Sequence, residues 1–220
     1  MLTHFPDATI HEPIIVPFGA ADYKTYISQA MRSPAKGIYN STYGGDSVTF
    51  FQQARPFGLF KDRVLVDSAN EFIVANALKE NTPPHWTGTH WYNETNRDNP
   101  LSVRFYEAYV EHTGDDQPMG WAGEAQAAIA AYAAAIEKAG STETEPVIAA
   151  LKGLTIDTVT GKRLIRAEDN QAVKDVELIY IEPDASAPRG YRVTETIRID
   201  GPSVMEPPTP GQPLKLRSVE

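Results

Sequence analysis

Cysteine is absent from the chain of 220 residues, and basic residues are fewer than acidic ones. Without cysteine there can be no disulfide framework, thiolate nucleophile or thiolate-bound metal, so stability has to come from packing. The 20 Lys and Arg against 29 Asp and Glu give a formal net charge of -9. Nucleic acids and anionic membranes bind clustered basic residues, so neither is expected as a partner.

Long apolar runs are missing as well. No segment approaches the roughly 20 apolar residues that span a bilayer, so membrane insertion is not expected. The first seven residues lack the basic start and apolar run of a secretory signal, and no targeting address is predicted. An apolar run at residues 10–16 is predicted to form a strand, and we expect that a preceding part of its domain is missing.

Motifs for metal, nucleotide or covalent chemistry are weak. His85 and His90, the closest useful histidine pair, are not one helical turn apart, so no metal site is predicted. Gly44 and Gly45 lack the third glycine of a dinucleotide fingerprint, and no Gly-x-Ser-x-Gly elbow occurs. We therefore predict no metal, no cofactor and no catalytic residue.

Strands and helices alternate through the first 92 residues. Asp22 is predicted to cap the first helix, at residues 23–31, and either Asn70 or Ser68 is predicted to cap the third, at residues 71–78. The alternation predicts an α/β fold with a parallel sheet, in which ligands collect beyond the carboxyl ends of the strands. Strands are predicted at residues 10–16, 37–40, 63–66 and 88–92, and helices at 23–31, 46–57 and 71–78.

Three loops, at residues 17–19, 41–46 and 67–70, are therefore expected to share one edge of the sheet. They offer aromatic rings, hydroxyls, backbone amides and carboxylates, a mixture suited to a small polar organic ligand. The predicted ligand-binding residues are Phe18, Tyr43, Gly44, Asp67, Ser68 and Asn70.

Several of these residues have simpler explanations. Tyr43 could merely cover the edge of the sheet, and Asp46 could be a helix cap. At least one of Asp67, Ser68 and Asn70 is expected to be a cap as well. The aromatic run at residues 90–92 could either touch a ligand or pack in the core.

Helix follows helix after Pro100. These helices are predicted at residues 101–112, 121–139 and 143–152, and each ends before a glycine. Residues 176–181 and 191–199 alternate well enough to form an extended pair, and the proline-rich stretch from residue 201 onward is predicted to be a tail.

A series of short motifs runs through the chain in a specific order. The motifs are Asp22-Tyr23, Gln52-Gln53-Ala54-Arg55, Gly58-Leu59, Phe105-Tyr106-Glu107-Ala108-Tyr109, Ala139-Gly140-Ser141-Thr142, Ala149-Ala150-Leu151-Lys152-Gly153 and the turn at 158–162. Taken together, up to about Pro202, they resemble the type I periplasmic solute-binding proteins of ABC transporters, in the branched-chain amino-acid-binding (Leu/Ile/Val-binding) family.

The resemblance implies a receptor with two Rossmann-like lobes, of which this chain has the C-terminal part. Residues 1–92 and 176–200 would form the second lobe, residues 93–175 a helical part of an incomplete first lobe, and residues 201–220 a tail. It also implies that Tyr43 lines the pocket and that Asp67 or Glu71 offers a carboxylate to the ammonium group of a ligand.

The implied function is non-enzymatic. A periplasmic component of an ABC importer would capture an amino acid, amide or aromatic acid between two lobes by hinge closure and deliver it to a permease. With the first lobe incomplete, we expect weak binding by this chain alone and self-association through exposed helices. Two alternatives stay open: a ligand-sensing regulatory domain of the same fold, and an α/β hydrolase-type enzyme that uses Asp46, Asp67 and Asp115-Asp116 as acid and base groups.

Overall fold

A computed structural model describes residues 7–68 and 70–212. The chain divides into two compact units: unit 1 is Met1–Gly88 with Leu178–Thr196, and unit 2 is Thr89–Glu177 with Ile197–Glu220. The expected division into a second lobe, a helical part of a first lobe and a tail stays a prediction. Residues 1–6, which bear on the signal-peptide interpretation, and residues 213–220 of the predicted tail lie outside the described residues.

A five-stranded sheet combines three strands from the first half of the chain, β1 (Gly37–Asn40), β2 (Val64–Asp67) and β3 (His85–Thr89), with two from the second half, β7 (Val176–Pro183) and β8 (Tyr191–Ile199). Their order in the sheet is β1-β2-β3-β7-β8. Strand β1 pairs with β2, and β2 with β3, in parallel. The predicted α/β fold with a parallel sheet is confirmed. The elements are α1 (Lys24–Arg32), β1 (Gly37–Asn40), α2 (Gly45–Ala54), β2 (Val64–Asp67), α3 (Ile73–Leu78), β3 (His85–Thr89), β7 (Val176–Pro183) and β8 (Tyr191–Ile199), with 3-10 turns at Arg55–Phe57, Lys79–Asn81 and Asn93–Asn96.

The core of unit 1 is aromatic. Phe51 on α2 is buried and lies edge-on to Phe50 and against Phe60, with ring centroids 5.5 and 5.3 Å apart. Leu65 of β2 and Val74 of α3 pack in the same cluster. Alternating helices and strands thus bury their apolar faces against one another, which is the main stabilising contribution expected for such a sheet.

Three details of the prediction for this half are wrong. Residues 10–16 form no strand, because strand formation needs a pairing partner as well as apolar side chains. Strand β3 starts at His85, three residues earlier than predicted. Neither Asn70 nor Ser68 caps α3, whose first residue, Ile73, follows Phe72 without a side-chain cap. By contrast, the Asp22 carboxylate does accept a hydrogen bond from the N–H of Lys24 at the start of α1 (2.9 Å).

Unit 2 combines helices with a small sheet. Helix α5 packs against α6 and β4, and a cluster of Ala135, Val147 and Ala150 fills the space beside α6. After α6, the three strands β4-β5-β6 pair antiparallel. The elements are α4 (Pro100–Thr113), α5 (Trp121–Ala139), α6 (Thr144–Leu151), β4 (Thr155–Thr158), β5 (Gly161–Ile165), β6 (Ala172–Val173) and α7 (Gly201–Val204), the last within the predicted tail.

Close approach at Gly123 fixes the start of α5 against the segment after β3. A Cβ atom on Gly123 would lie 2.5 Å from Cβ of Trp91 and 3.1 Å from Cγ2 of Val159. The indole N–H of Trp91 donates to Oγ of Ser102 on α4 (2.9 Å), so this buried ring also holds α4 in place. Within the described ranges, none of the helices has the length and apolar character needed to cross a membrane.

Candidate functional site at the carboxyl edge of unit 1

A buried polar network joins the loops that follow β1 and β2. Nδ2 of Asn70 donates to Oδ1 of Asp67 (2.7 Å) and to Oγ of Ser47 (2.9 Å). Nδ2 of Asn40, the last residue of β1, also donates to Oδ1 of Asp67 (3.2 Å). All four side chains are buried, and buried polar groups are stable only when they are hydrogen-bonded in this way.

Asn70 bridges directly to the neighbouring loop. Its Oδ1 accepts a hydrogen bond from the N–H of Gly44 (2.7 Å), and its Nδ2 donates to the carbonyl of Thr42 (3.0 Å). These bonds leave little freedom for Tyr43, which lies between the two anchored residues. The sequence separation of 26 residues between Gly44 and Asn70 means that the bridge forms only when the sheet does.

Unusual backbone conformations occur at the same edge. Gly44 has φ +59° and ψ -126°, a region that residues with a Cβ atom rarely adopt. Glu71 has φ +46°, and its N–H donates to Oγ1 of Thr87 in the middle of β3 (3.2 Å). A buried glutamate in the left-handed region stores conformational strain, and such residues cluster at functional sites.

The loop before α1 is fastened to α2. The N–H of Gly19 donates to Oδ2 of Asp46 (3.0 Å), and the side chain of Gln53 accepts from the N–H of Tyr23 (2.7 Å). Burial, assisted by the Asp46 carboxylate, raises the pKa of the Tyr23 phenol. All three predicted loops are thus held at the start of α2, although the first of them does not follow a strand.

The six predicted ligand-binding residues fall into two sets. Phe18 and Tyr43 are 95% and 52% exposed, and Gly44 and Ser68 are partly exposed. Asp67 and Asn70 are fully buried and support the loops from beneath. Ligand contact by any of the six stays a prediction.

The two carboxylates that were expected to bind the ammonium group of a ligand are both buried. Asp67 and Glu71 are at most 1% exposed. An exposed cation at this edge would therefore have to reach other groups. Asp46, at the same edge, is partly exposed, and its Oδ2 already accepts a hydrogen bond from the N–H of Gly19.

A second polar cluster lies in unit 2, and the sequence interpretation missed it. Glu124 in the first turn of α5 accepts two hydrogen bonds from the Arg163 guanidinium (2.7 and 3.0 Å) and one from Nζ of Lys174 (2.5 Å). Nζ of Lys174 also lies 2.8 Å from Nδ1 of His90, whose ring packs 4.1 Å from that of Trp121. These residues are far apart in sequence, and no local motif links them.

The electrostatics of this cluster follow from its partners. Burial acts to raise the pKa of Glu124, but hydrogen bonds from Arg163 and Lys174 outweigh it and lower the pKa to about 2. Burial and the charge of Lys174 lower the pKa of His90. The cluster thus keeps an ionised carboxylate between two cations at neutral pH.

The four acidic residues named for the enzyme alternative are divided between the two units. Asp46 and Asp67 belong to unit 1, whereas Asp115 and Asp116 belong to unit 2. Oδ2 of Asp46 accepts from a backbone N–H and Asp67 is buried in the network, so each has a structural role. Among the residues that the structure describes, no group of three or more His, Asp or Glu side chains is arranged to hold a metal ion.

Comparison with known proteins adds a family match. A family model described as periplasmic binding protein matches residues 7–186. A search of curated protein sequences finds no match.

Solved structures share the fold at low sequence identity. A leucine-, isoleucine-, valine-, threonine- and alanine-binding protein from Brucella ovis is 16% identical with a TM-score of 0.70, over 87% of this chain and 50% of its own. A periplasmic binding protein from Burkholderia mallei is 26% identical with a TM-score of 0.68, over 84% and 49%.

A third similar structure contains a ligand. It is a solute-binding protein of an ABC transporter from Rhodopseudomonas palustris BisB5 in complex with 3,4-dihydroxybenzoic acid, 17% identical with a TM-score of 0.62, over 82% of this chain and 49% of its own. The chain therefore spans about half the length of these solved proteins.

Proposed function

Since the chain belongs to the periplasmic binding protein family, we propose that it is part of an extracytoplasmic receptor that binds a small polar organic molecule for an ABC importer. One similar protein is named for five amino acids, and another was solved with an aromatic acid. The permease partner and the periplasmic location belong to the same proposal, because the chain spans about half of those proteins.

The observation that supports this proposal most strongly is the bridge between Gly44 and Asn70. It fixes two loops at the carboxyl edge of a parallel sheet, where ligands of such sheets collect. Tyr43, between the anchored residues, presents a half-exposed ring. A pre-formed loop with an exposed ring loses little conformational entropy when it binds, which favours a binding role over a purely structural one.

We infer an aromatic acid, ahead of an aliphatic amino acid, as the ligand group that meets this edge. Tyr43 and Phe18 are exposed rings, whereas the carboxylates of Asp67 and Glu71 are buried. Stacking on rings favours a flat partner. An aliphatic amino acid would instead require a carboxylate for its ammonium group, and the partly exposed Asp46 is already bonded to the N–H of Gly19.

Hinge closure is proposed as the mechanism. A ligand shifts the arrangement of two units only by contacting one arrangement better than the other. Contacts from unit 1 alone would supply only part of the binding free energy that favours the closed arrangement. We therefore expect millimolar rather than micromolar binding by this chain.

The test is nuclear magnetic resonance on the 15N-labelled chain of 24.2 kDa. Titration with 3,4-dihydroxybenzoate, benzamide and L-leucine, each to millimolar concentration, is followed through the amide signals of Gly44, Gly45 and Ser68. We expect dose-dependent shifts at these amides, largest for 3,4-dihydroxybenzoate.

Two variants make the test specific. Tyr43→Ala should abolish the shifts, whereas Tyr39→Ala, which removes an exposed ring from strand β1, should preserve them. Shifts that survive Tyr43→Ala would refute the assigned contact. The absence of shifts with all three compounds would refute the receptor proposal for unit 1.

We also propose self-association through α5. Its exposed face is apolar and carries Trp121, Ile129 and Tyr132 at helical spacing, with Ile129 72% exposed. Contiguous apolar surface of this kind marks interaction sites. Light scattering over a concentration series should show a mass that rises above 24.2 kDa, and a constant monomer mass would contradict the proposal.

A further inference from the structure

The chain passes between the two units at three places, after Gly88, after Glu177 and after Thr196. Glu177 stands at the second of these passages, on strand β7. Its side chain is 3% exposed, which is rare for a glutamate unless it is fully paired. The hydrogen-bond partners of this carboxylate therefore show whether the three passages are bonded to one another.

Four donors surround the Glu177 carboxylate. Oε2 accepts from the N–H of Tyr92 and from Oγ1 of Thr95 (both 3.1 Å). Oε1 accepts from Nδ2 of Asn96 (2.9 Å) and from Nη2 of Arg198 (2.7 Å). Tyr92, Thr95 and Asn96 come shortly after the first passage in sequence, and Arg198 comes shortly after the third.

The remaining segments are also bonded to each other. Nη2 of Arg198 lies 2.7 Å from Oδ1 of Asn96 and 3.0 Å from the carbonyl of Thr95, as well as beside Glu177. Arg198, Asn96 and Glu177 thus form a closed ring of hydrogen bonds, one residue from each of the three passages. We call this ring the Glu177 clasp. All of its members belong to unit 2.

We propose that the Glu177 clasp makes the unit 2 ends of the three passages move as one body, so that Glu177 is a positioning residue for hinge closure. This inference rests on the proposed receptor function. A charged carboxylate that is buried and hydrogen-bonded has a steep energetic penalty for losing a partner, so the clasp resists being opened at one passage alone. Backbone adjustment between the units is then confined to residues outside the clasp.

The test is hydrogen–deuterium exchange on the ligand-free chain, which needs no ligand to be known. Arg198→Gln removes the positive charge. Because the side chain at this position is partly exposed, the variant should still fold. We expect exchange to quicken together, by roughly tenfold or more, in the segments around residues 92–96, 176–178 and 197–199.

Arg192→Gln is the matched control. Arg192 lies on the same strand and pairs with Asp184 at 3.5 Å on the surface, within unit 1. Its loss should change none of the three segments. Quickening around residues 197–199 only, after Arg198→Gln, would refute the clasp.

A second variant distinguishes loss of the clasp from general destabilisation of the fold. Glu177→Gln keeps the shape of the side chain and should give the same three-segment pattern, with the exchange of α2 unchanged. Uniform quickening across both units, in both variants, would show general destabilisation and overturn the proposal.

The outcome separates the clasp from the receptor function. Coupled exchange without amide shifts from any ligand would refute the receptor function and leave the clasp as a joint between passages. Amide shifts in unit 1 with uncoupled exchange would refute the clasp alone.

Discussion

Unit 1 and unit 2 are stabilised in different ways. Unit 1 buries interlocking rings, with Phe50, Phe51 and Phe60 in mutual contact behind a parallel sheet. Unit 2 packs small residues along α5 and leaves Trp121, Ile129 and Tyr132 in solvent. The contrast teaches that the core of unit 1 is filled by large rings and that of unit 2 by small residues, and that unit 2 presents apolar side chains on one face of a helix, where a further polypeptide surface could bury them.

The largest effect is expected from removing a ring from unit 1. Phe51→Ala should lower the free energy of unfolding by about 4 kcal/mol, through lost transfer energy and a cavity. Phe57→Ala, in the turn after α2, removes a ring that is 45% exposed and should lower the free energy of unfolding by only about 1 kcal/mol. Urea unfolding of both variants measures this difference, and equal losses would contradict the description of the unit 1 core.

Acid should weaken unit 1 through one buried histidine. Burial lowers the pKa of His85 to about 4, against about 6.5 in an unfolded chain. Between these values the unfolded state binds a proton that the folded state excludes. The free energy of unfolding should therefore fall as the pH drops from about 6.5 to about 4, by on the order of 3 kcal/mol, and not change from this cause above pH 6.5.

The pH effect can be assigned with two variants. His85→Phe keeps the buried ring volume and should reduce the slope of stability between pH 6.5 and 4, leaving the part due to His90, whose pKa is also lowered, whereas His112→Gln, on the exposed end of α4, should keep the full slope. Glu124, with its pKa lowered to about 2, loses its contribution only as the pH falls below about 4.5. An unchanged slope in His85→Phe would contradict the assignment.

A smaller effect is expected at the loop that carries Tyr43. Gly44→Ala places a Cβ atom on a residue with positive φ, although no atom lies within 4 Å of that position, so the cost is backbone strain of about 1–3 kcal/mol. Gly45→Ala, one residue later and inside α2, should be neutral or stabilising. Thermal unfolding of both tests this prediction, and equal melting temperatures would refute the strain at Gly44.

The smallest effect on stability is expected on the exposed face of unit 2. Ile129→Glu should change the free energy of unfolding by about 0.5 kcal/mol or less, because its side chain already faces water. The same change should lower the fraction of higher-mass species in light scattering. A large loss of stability would mean that Ile129 belongs to the core, against the contrast drawn between the units.

Local patterns predicted much of the fold. Helix α5 runs over Trp121–Ala139 as predicted, and β1 covers Gly37–Asn40 as predicted. Both have strong local signals, since an alanine-rich stretch ends at a glycine and a short run is bounded by turn residues.

Strand β3 was misplaced because its buried face is not apolar. His85, Thr87 and Thr89 point inward, so apolar alternation gives no guide to this strand. The prediction for residues 10–16 was wrong for the opposite reason, since this run is apolar but pairs with no strand among the residues that the structure describes. Strand pairing is a tertiary property that a local window does not contain.

The candidate site could be predicted only in outline. The three loops are at the expected edge, but Asn70 forms a bridge to Gly44 instead of a cap for α3. Arg163 and Lys174 lie 39 and 50 residues from Glu124 in sequence, so the residues around Glu124 do not predict these ion pairs. Contacts of this range depend on the completed fold, and sequence patterns record only local preferences.

The buried indole of Trp91 gives the chain an intrinsic optical reporter. Trp86 lies in unit 1 and Trp91 in unit 2, on either side of the first passage, and the third indole, that of Trp121, is half in water. Emission from Trp91 should be blue-shifted and shielded from iodide, whereas emission from Trp121 should be red-shifted and readily quenched. Fluorescence can therefore follow the interior and the surface of the same unit without an added dye.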